Sequence, residues 1–416
     1  MAIDLLRQVR LLDPVRHGDR VTDVLIVDGW IRAIAPQISA PAEAVVQDCT
    51  GLVLGPGLVD LYSHSGEPGF ESRETLDALM AAAAAGGFTR LTLLPTTSPA
   101  VDNAAMVQWL RSHVQLPSPQ IQCWGALTVG AAGQQMAELA ELAESGIVGF
   151  ADGMPIQNWG LLRRSLEYAQ ALGKPIALAC CDLQLRGNGV MREGSDSIRM
   201  GLPGAPAIAE TAALAALLEC VEQIGTPVHL MRVSTARSVE LIAQAKARHL
   251  PITASTTWMH LLLNTQALQR YDPNLRLEPP LGTPADQAAL IQAVNDGVIE
   301  AIAIDHCPYT YEEKTVPFAE APAGAIGLEL ALPLLWQHLV TSGKLSALTL
   351  WRTLSSDPSR CLHQPPAAVE VDAIAELTLF DPRHPWLVSG KTLKSLARNT
   401  PWLGQEIVGR VIQTWG

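Results

Sequence analysis

Polar side chains that can bind a metal or move a proton follow several short apolar segments of this chain. Imidazole nitrogens, carboxylates and thiolates hold zinc in proteins, and they also serve as acids, bases and nucleophiles. The candidate groups stand at six places: Tyr62-Ser63-His64, Pro95-Thr96-Thr97, Asp152, Ala179-Cys180-Cys181-Asp182, Arg232-Val233-Ser234 and Asp305-His306. Whether they can act together depends on the elements that position them.

The middle of the chain alternates apolar strands with alanine- and leucine-rich helices. Eight strand–helix units over roughly 310 residues are typical of a (β/α)8 barrel. The predicted strands are Leu58–Tyr62, Thr89–Leu94, Ile121–Ala126, Val148–Phe150, Ile176–Ala179, Val228–Arg232, Ile252–Ser255 and Ala301–Ile304. The predicted helices include Arg73–Ala85, Met136–Glu144, Leu161–Leu172, Ala207–Gln223 and Ala236–Ala247.

The two ends of the chain consist of short β-branched runs and turns. An Asp28-Gly29 pair near the N-terminus predicts a hairpin, and the runs AELTLFDP and GQEIVGRVIQTWG predict strands near the C-terminus. We therefore predict an α/β fold with two domains: a (β/α)8 TIM barrel over residues 53–365, and a small β-sandwich formed by residues 1–52 and 366–416.

In such a barrel the functional site lies at the C-terminal ends of the strands, where all six groups of candidates stand. Residues two apart on a strand face the same side. Tyr62 and His64 are therefore predicted to point into the barrel mouth together. By the same alternation from Ala179, Cys181 is also predicted to face the mouth.

Long stretches of the chain resemble the dihydroorotases of the amidohydrolase superfamily almost end to end. The matching stretches, in order, are GLVDLYSHSGEPGFESRET, AAAAGGFTRLTLLPTTSPAVDN, GNGVMREG, VSTARSVELI, AIAIDHCPYTYEEKTVPFAEAP, GLELALPLL and NTPWLGQEIVGRV. The resemblance implies hydrolysis or closure of the cyclic amide of dihydroorotate, with one or two zinc ions at the barrel mouth. A metal ion lowers the pKa of its bound water and polarises the amide carbonyl. Asp305 would be the catalytic general base.

This chain departs from the family pattern at most of the expected metal ligands. His-x-His on the first strand reads Tyr62-Ser63-His64, the histidine before Cys-Glu-Asp is Ala179, and the histidine before Val-Ser is Arg232. His64, Asp152 and Asp305 remain of the six ligands that the resemblance implies. The positions that hold the substrate also differ, because the carboxylate-binding arginine is Gly66 and three further positions are Thr96, Gly282 and Tyr309.

These changes leave several interpretations of the site open. His64, Asp152 and Asp305 could hold one zinc ion, with Cys181 or Cys307 as a replacement ligand. We favour a hydrogen-bonded polar cluster in which Arg232 pairs with an aspartate, and buried thiols at the two cysteines. Ser234 is predicted to cap a helix rather than to serve as a nucleophile.

The composition narrows the range of partners. The formal net charge is −12 and the basic residues are scattered, so neither nucleic acid nor an anionic membrane is an expected partner. No run approaches the roughly 20 apolar residues of a membrane span. Arg7 and Arg10 interrupt the apolar N-terminus, and the seven cysteines have no repeated spacing. We expect a cytoplasmic protein with reduced thiols.

A preserved scaffold around a depleted site predicts a dihydroorotase-like protein with impaired or absent hydrolase activity. Non-catalytic chains of this family are structural partners of aspartate transcarbamoylase, so the resemblance implies that partner and also a homo-oligomer. The alternative is an active cyclic amidohydrolase with one rebuilt zinc site. A third hypothesis is a protein that binds a small molecule in the old pocket, with Thr96, Tyr309 and Arg232 as contacts.

Overall fold

The computed structural model describes residues 2–113 and 119–416. Its strands, in chain order, are β1 (Ile3–Asp13), β2 (Gly18–Val27), β3 (Trp30–Ala35), β4 (Val45–Asp48), β5 (Val53–Pro56), β6 (Leu58–Ser63), β7 (Phe88–Leu93), β8 (Gln120–Cys123), β9 (Ile176–Ala179), β10 (Met191–Arg192), β11 (Gly204–Ala205), β12 (Val228–Met231), β13 (Ile252–Thr257), β14 (Ala301–Ala303), β15 (Leu377–Leu387) and β16 (Glu406–Trp415).

The α-helices lie mainly between the barrel strands. They are α1 (Leu76–Ala85), α2 (Ala104–His113), α3 (Leu139–Glu144), α4 (Trp159–Ala171), α5 (Leu183–Arg186), α6 (Ser195–Met200), α7 (Ile208–Ile224), α8 (Ala236–Ala247), α9 (Trp258–Leu262), α10 (Pro284–Asp296), α11 (Tyr311–Lys314), α12 (Ala331–Leu335), α13 (Ala347–Leu354) and α14 (Ser356–Cys361). Shorter 3-10 turns span Val129–Ala131, Thr265–Arg270 and Pro273–Leu275, and a π-helical turn spans Trp336–Val340.

Parallel strands form the barrel in two runs, β6-β7-β8 and β9-β12-β13-β14. Phe150 bridges the runs because it pairs with Gly125 on one side and with Ile176 on the other. The circle closes where the Asp60 carboxylate accepts a hydrogen bond from the Ile304 amide at 2.9 Å. Counting the segment around Phe150, eight parallel segments surround the core, as the sequence predicts.

Strands from both termini form a second sheet, in the order β16-β15-β5-β1-β2-β3, with β4 paired to β1. A register shift in β1, where Gln8 has φ +54°, lets one half of the strand pair with β4 and the other with β5. The predicted hairpin is present, because Asp28 and Gly29 link β2 to β3 with φ of +47° and +76°. Positive φ at both positions is what a tight two-residue hairpin turn requires.

The terminal sheet has an apolar core of its own, and its strand β5 leads directly into the barrel. Leu6, Val24, Ile26 and Leu377 belong to that core. Strand β5 extends the sheet to Pro56, beyond the predicted boundary at residue 52, and only Gly57 separates it from β6. The domain limits themselves stay a prediction.

The predicted architecture of a (β/α)8 barrel with a β-sandwich from both termini is confirmed. Two predicted helices are too long by three residues at the N-terminus. α1 begins at Leu76 and not at Arg73, because Thr75 caps it. α3 begins at Leu139 and not at Met136, because Met136 pairs with Thr128 in an isolated bridge. In the part of the chain that is described, no helix is both long and apolar enough to cross a bilayer.

Candidate functional site

A cavity of about 540 Å³ opens at the C-terminal ends of the barrel strands. Its walls combine apolar side chains with a few charged groups, as is usual in sites for small molecules. Among the predicted site residues, the cavity is lined by His64, Thr96, Cys181, Arg232, Asp305 and Tyr309. Asp152 does not line it.

An ion pair between Arg232 and Asp305 occupies the mouth. Arg232 Nε donates to Asp305 Oδ2 at 2.8 Å, and an Nη donates to Oδ1 at 2.6 Å. The other Nη of Arg232 donates to the Gly153 carbonyl at 2.7 Å. Burial would lower the pKa of the Arg232 guanidinium, but the nearby Asp305 carboxylate outweighs it and raises that pKa above its usual value. The guanidinium is therefore charged, and its contact with Asp305 is bidentate.

The same guanidinium contacts the one histidine that remains on the first barrel strand. An Arg232 Nη lies 3.3 Å from His64 Nε2, and His64 Nδ1 lies 2.8 Å from the Thr96 hydroxyl. Burial lowers the pKa of His64 to about 4, while the Asp305 carboxylate opposes that shift. His64 is therefore neutral near pH 7, and its ring is held between Thr96 and Arg232.

Both members of the ion pair have left-handed backbones, with φ of +57° at Arg232 and +52° at Asp305. A residue with a Cβ adopts this conformation at a cost of about 1 kcal/mol. Each stands where its strand ends, so the unusual backbone turns the side chain back over the mouth. Strained residues of this kind occur preferentially at functional sites.

Tyr62 does not reach the cavity, although the sequence predicts that it faces the mouth beside His64. It is completely buried beneath the ion pair, where its hydroxyl lies 2.8 Å from Ser255 Oγ and accepts from the Arg232 amide at 3.1 Å. The phenol thus fills the space below Arg232. Burial raises its pKa above the usual value, so it stays protonated.

Asp152 lies apart from the other predicted ligands because the loop after β8 binds its carboxylate. Oδ1 accepts from the amides of Leu127 and Thr128 at 2.9 and 3.0 Å, and Oδ2 accepts from the Thr128 hydroxyl at 2.6 Å. Burial raises the pKa of the Asp152 carboxyl. The polar cluster that the sequence favours is therefore built by His64, Arg232 and Asp305 without Asp152.

The two candidate cysteines line the cavity, and burial raises the pKa of each to about 11. Both are therefore thiols at neutral pH, whereas a zinc ligand is a thiolate. The Sγ atoms of Cys181 and Cys307 point to backbone carbonyls, those of Asp182 and Ala323, at 3.8 Å.

The donor groups at the mouth do not fit a zinc ion. Within residues 2–113 and 119–416, no three His, Cys, Asp or Glu side chains converge on a point that could hold a metal. His64 and Asp305 come close, with Nε2 and Oδ1 3.8 Å apart. The Arg232 guanidinium contacts both, however, and a second cation there would be strongly repelled.

The segment after β14 covers the cavity and includes the predicted contact Tyr309. Arg73 donates three hydrogen bonds to Glu313, at 2.5 to 3.1 Å, and stacks on the Tyr309 ring at 4.9 Å. Lys314 is buried and donates to the carbonyls of Pro273 and Pro322 at 3.1 and 2.6 Å. Burial lowers its pKa to about 8. These contacts fix the position of the segment beside the cavity.

Gly66 and Gly282, two positions at which the sequence departs from the family pattern, are both closely packed. A Cβ at Gly66 would lie 2.4 Å from the Glu74 carbonyl oxygen, and a Cβ at Gly282 would lie 2.7 Å from Asp286 Cβ. Neither position can take an arginine without movement of the surrounding chain. The packing around both glycines therefore leaves no space for a side chain.

Several charged residues of the site were missed by the sequence reasoning. Arg186 on α5 and Glu278 after β13 both line the cavity, with Nη and Oε2 2.8 Å apart. The position of Arg186, seven residues after the end of β9, could have indicated it, whereas Glu278 lies in the long segment between β13 and α10 and has no such signal. Ser234 does not cap α8 as predicted: Thr235 does, and Ser234 Oγ donates to buried Glu210.

The fold and the mouth cavity together define an amidohydrolase-type barrel. The structure superposes on the L-hydantoinase of Arthrobacter aurescens with a TM-score of 0.85, covering all of this chain and 97% of that one, at 21% identity. D-hydantoinase from Thermus superposes with a TM-score of 0.82, at 22% identity and over 98% and 93% of the two chains. At these identities the likeness shows the fold.

Sequence comparison identifies the family. A profile of dihydro-orotase-like domains matches residues 51–238. A probable dihydroorotase-like protein of Synechocystis is 46% identical over 97% of this chain and 98% of its own length. A dihydroorotase of Pelotomaculum thermopropionicum is 39% identical over 97% and 95%. The chain belongs to the dihydroorotase-like family of the amidohydrolase superfamily.

Proposed function

We propose that this chain is a dihydroorotase-like protein of pyrimidine biosynthesis whose hydrolytic activity is lost or severely impaired. The observation that supports it is the bidentate pair between Arg232 and Asp305. In the role expected of it, Asp305 would accept a proton from the attacking water. Here both of its oxygens accept hydrogen bonds from a guanidinium that stays charged at every physiological pH.

Arg232 also affects the place where a zinc ion would bind. A zinc ion would supply a water of lowered pKa and polarise the amide carbonyl. Arg232 contacts the two groups that come nearest to forming a zinc site, His64 and Asp305. A guanidinium, unlike a zinc ion, has no open coordination position at which to activate water. On the substrate side, the tight packing around Gly66 leaves no room for an arginine to hold the carboxylate of dihydroorotate.

We further propose that the chain acts as a structural partner of aspartate transcarbamoylase. The support is the contrast between scaffold and site. The barrel, terminal sheet and covering segment are complete, while the mouth carries an ion pair in place of convergent metal ligands. A protein used for assembly needs the shape of this scaffold but not the ligand set. A homo-oligomer belongs to the same proposal.

The activity test is dihydroorotate hydrolysis, and ring closure of carbamoyl aspartate, by purified protein with added zinc or cobalt and with chelator. We expect turnover in neither direction above the chelated sample. The matched control is Asp305→Asn, because a contaminating hydrolase would give equal rates in both preparations. Metal-dependent turnover that Asp305→Asn abolishes would overturn the proposed loss of activity.

The same experiment decides for or against the alternative, an active cyclic amidohydrolase with one rebuilt zinc site. The 3.8 Å approach of His64 Nε2 to Asp305 Oδ1 is the observation in its favour. Arg232 would have to leave the pair for zinc to enter. A metal-to-protein ratio near one, lost together with activity on chelation, would establish this alternative.

The assembly test is sedimentation of this chain alone and mixed with the aspartate transcarbamoylase of the same cell. We expect a self-associated species alone and a faster, stoichiometric species in the mixture. Asp305→Asn should assemble equally well, because the proposed role does not use the mouth. Unchanged sedimentation of both proteins in the mixture would refute the partnership.

A further inference from the structure

A second cavity, of about 370 Å³, lies at the opposite end of the barrel from the mouth. It opens beside β8, the start of β9 and the turn that follows α14. Its basic lining residues are Arg111, Lys174 and His363. None of its described lining residues is acidic, although the whole chain has 41 aspartates and glutamates against 29 lysines and arginines. This cavity therefore concentrates basic groups on a protein whose net charge is −12.

Backbone carbonyls, and not carboxylates, position the arginine and the lysine of this cavity. Arg111 donates from one Nη to the Gly146 carbonyl at 3.0 Å, and Lys174 Nζ donates to the next carbonyl, that of Ile147, at 2.8 Å. Within residues 2–113 and 119–416, neither side chain forms an ion pair with a carboxylate. Both carry more donors than these single bonds use. Two positive charges are therefore held side by side without compensation.

Gly146 allows the guanidinium of Arg111 to lie directly against the backbone. Its φ is +86°, and a Cβ at this position would lie 2.3 Å from an Arg111 Nη. Glycine adopts this backbone conformation without a steric cost, and any other side chain here would displace the guanidinium. Arg111 is therefore held in place before a ligand arrives, which lowers the entropy lost on binding.

The remaining lining supplies neutral polar groups and an apolar wall. The side-chain amides of Gln122 and Gln364 hydrogen-bond to each other at 2.7 and 3.3 Å. Burial raises the pKa of the Cys123 thiol to about 11, so it carries no charge at neutral pH. Ile121 and Leu362 are apolar lining residues. Small-molecule sites typically have such apolar walls, a few polar groups and a volume of this order.

We infer that this second cavity binds a small phosphate monoester, whose phosphate is held by Arg111 and Lys174. A phosphate monoester carries up to about two negative charges near neutral pH, so it compensates both cations at once. His363 can donate to a further phosphate oxygen, and the organic group of the ester then lies against Ile121 and Leu362. The site shares no lining residue with the mouth, so it is independent of the proposed function.

The test is calorimetric titration of the whole protein with phenyl phosphate, inorganic phosphate and phenol at constant ionic strength. Phenyl phosphate should bind. Inorganic phosphate should bind several-fold more weakly, because it leaves the apolar wall uncovered, and phenol should show no detectable binding. Arg111→Gln and Lys174→Gln should each weaken phenyl phosphate binding about tenfold or more, because each removes a charged hydrogen-bond donor.

Arg164→Gln is the matched control. Arg164 is exposed like Arg111 and donates to a backbone carbonyl, that of Gly160, but it does not line the cavity, so this variant should bind as the parent does. Gly146→Ala should weaken binding as Arg111→Gln does, because its Cβ displaces the guanidinium. No binding of phenyl phosphate at millimolar concentration, equal affinity for inorganic phosphate, or an equal loss of affinity in Arg164→Gln would each overturn the inference.

Discussion

The chemistry of the mouth depends on one residue, Arg232. Its guanidinium uses Asp305 as a bidentate partner, contacts His64 and bonds to the Gly153 carbonyl. An arginine cannot lose its proton to make room for a metal, and it holds Asp305 in a hydrogen-bonded state. Arg232, directly after β12, therefore determines both the hydrogen bonds of Asp305 and the charge of the mouth.

Removing one partner of this pair should lower the free energy of unfolding more than replacing both partners with apolar residues. In Arg232→Met the Asp305 carboxylate stays largely buried, 18% exposed, without its partner. We expect a loss of about 3 kcal/mol in the free energy of unfolding. Replacing both residues with apolar ones should cost less, because no unpaired charge remains. Urea unfolding followed by far-UV circular dichroism measures both values.

The surface variant Arg237→Met serves as the reference for that comparison. Its ion pair with Glu240 is exposed, and exposed pairs contribute little. If Arg232→Met were as stable as this reference, the mouth pair would be structurally dispensable.

At the scale of elements, sequence patterns account for the barrel, the hairpin and the positions of most site residues. Strand ends meet at one face of a barrel, so the convergence of His64, Arg232 and Asp305 could be predicted from spacing. The fate of Asp152 could not, because its carboxylate binds Leu127 and Thr128, and nothing in their residue types indicates that contact. The hydroxyls of Ser234 and Thr235 could each cap α8, and the sequence likewise does not show that Thr235 is the one that does so.

The segment that carries α11 is closed by side chains from other elements. Arg73 bonds to Glu313 across the cavity entrance, and Lys314 is buried against two carbonyls. Arg73→Gln should leave global stability nearly unchanged, because the pair is partly exposed. Amide hydrogen exchange in residues 309–317 should become several-fold faster, because local opening becomes easier. Exchange as slow as in the parent would mean that Lys314 alone keeps the segment closed.

At the scale of the whole molecule, barrel and terminal sheet share buried polar contacts. Arg90 on β7 bonds to Glu376 just before β15 at 2.6 and 2.8 Å, and Trp351 on α13 donates to the Pro56 carbonyl of β5 at 2.8 Å.

Buried ionisable groups make the stability of the fold depend on pH in two directions. Burial lowers the pKa of His229 to about 3 and raises that of Asp60 to about 7. Because His229 stays neutral in the fold, the protein loses stability as the pH falls. Because Asp60 stays protonated in the fold, the protein loses stability as the pH rises.

The histidine contribution can be isolated at His229, which lies in the barrel core between Thr253 and Ser255. Its unfolded form takes up a proton below about pH 6.5, and its folded form does so only near pH 3, so stability is lost progressively across that window as the pH falls. In His229→Gln, whose amide can still bond to both hydroxyls, that loss is absent. Between pH 6.5 and pH 5 the parent should lose about 2 kcal/mol more than the variant. Urea unfolding of both proteins across this range measures the difference, in which the contribution of Asp60 cancels. Parallel stability curves would mean that His229 keeps its ordinary pKa in the fold, and the charged imidazole would then require a counter-charge other than the two hydroxyls.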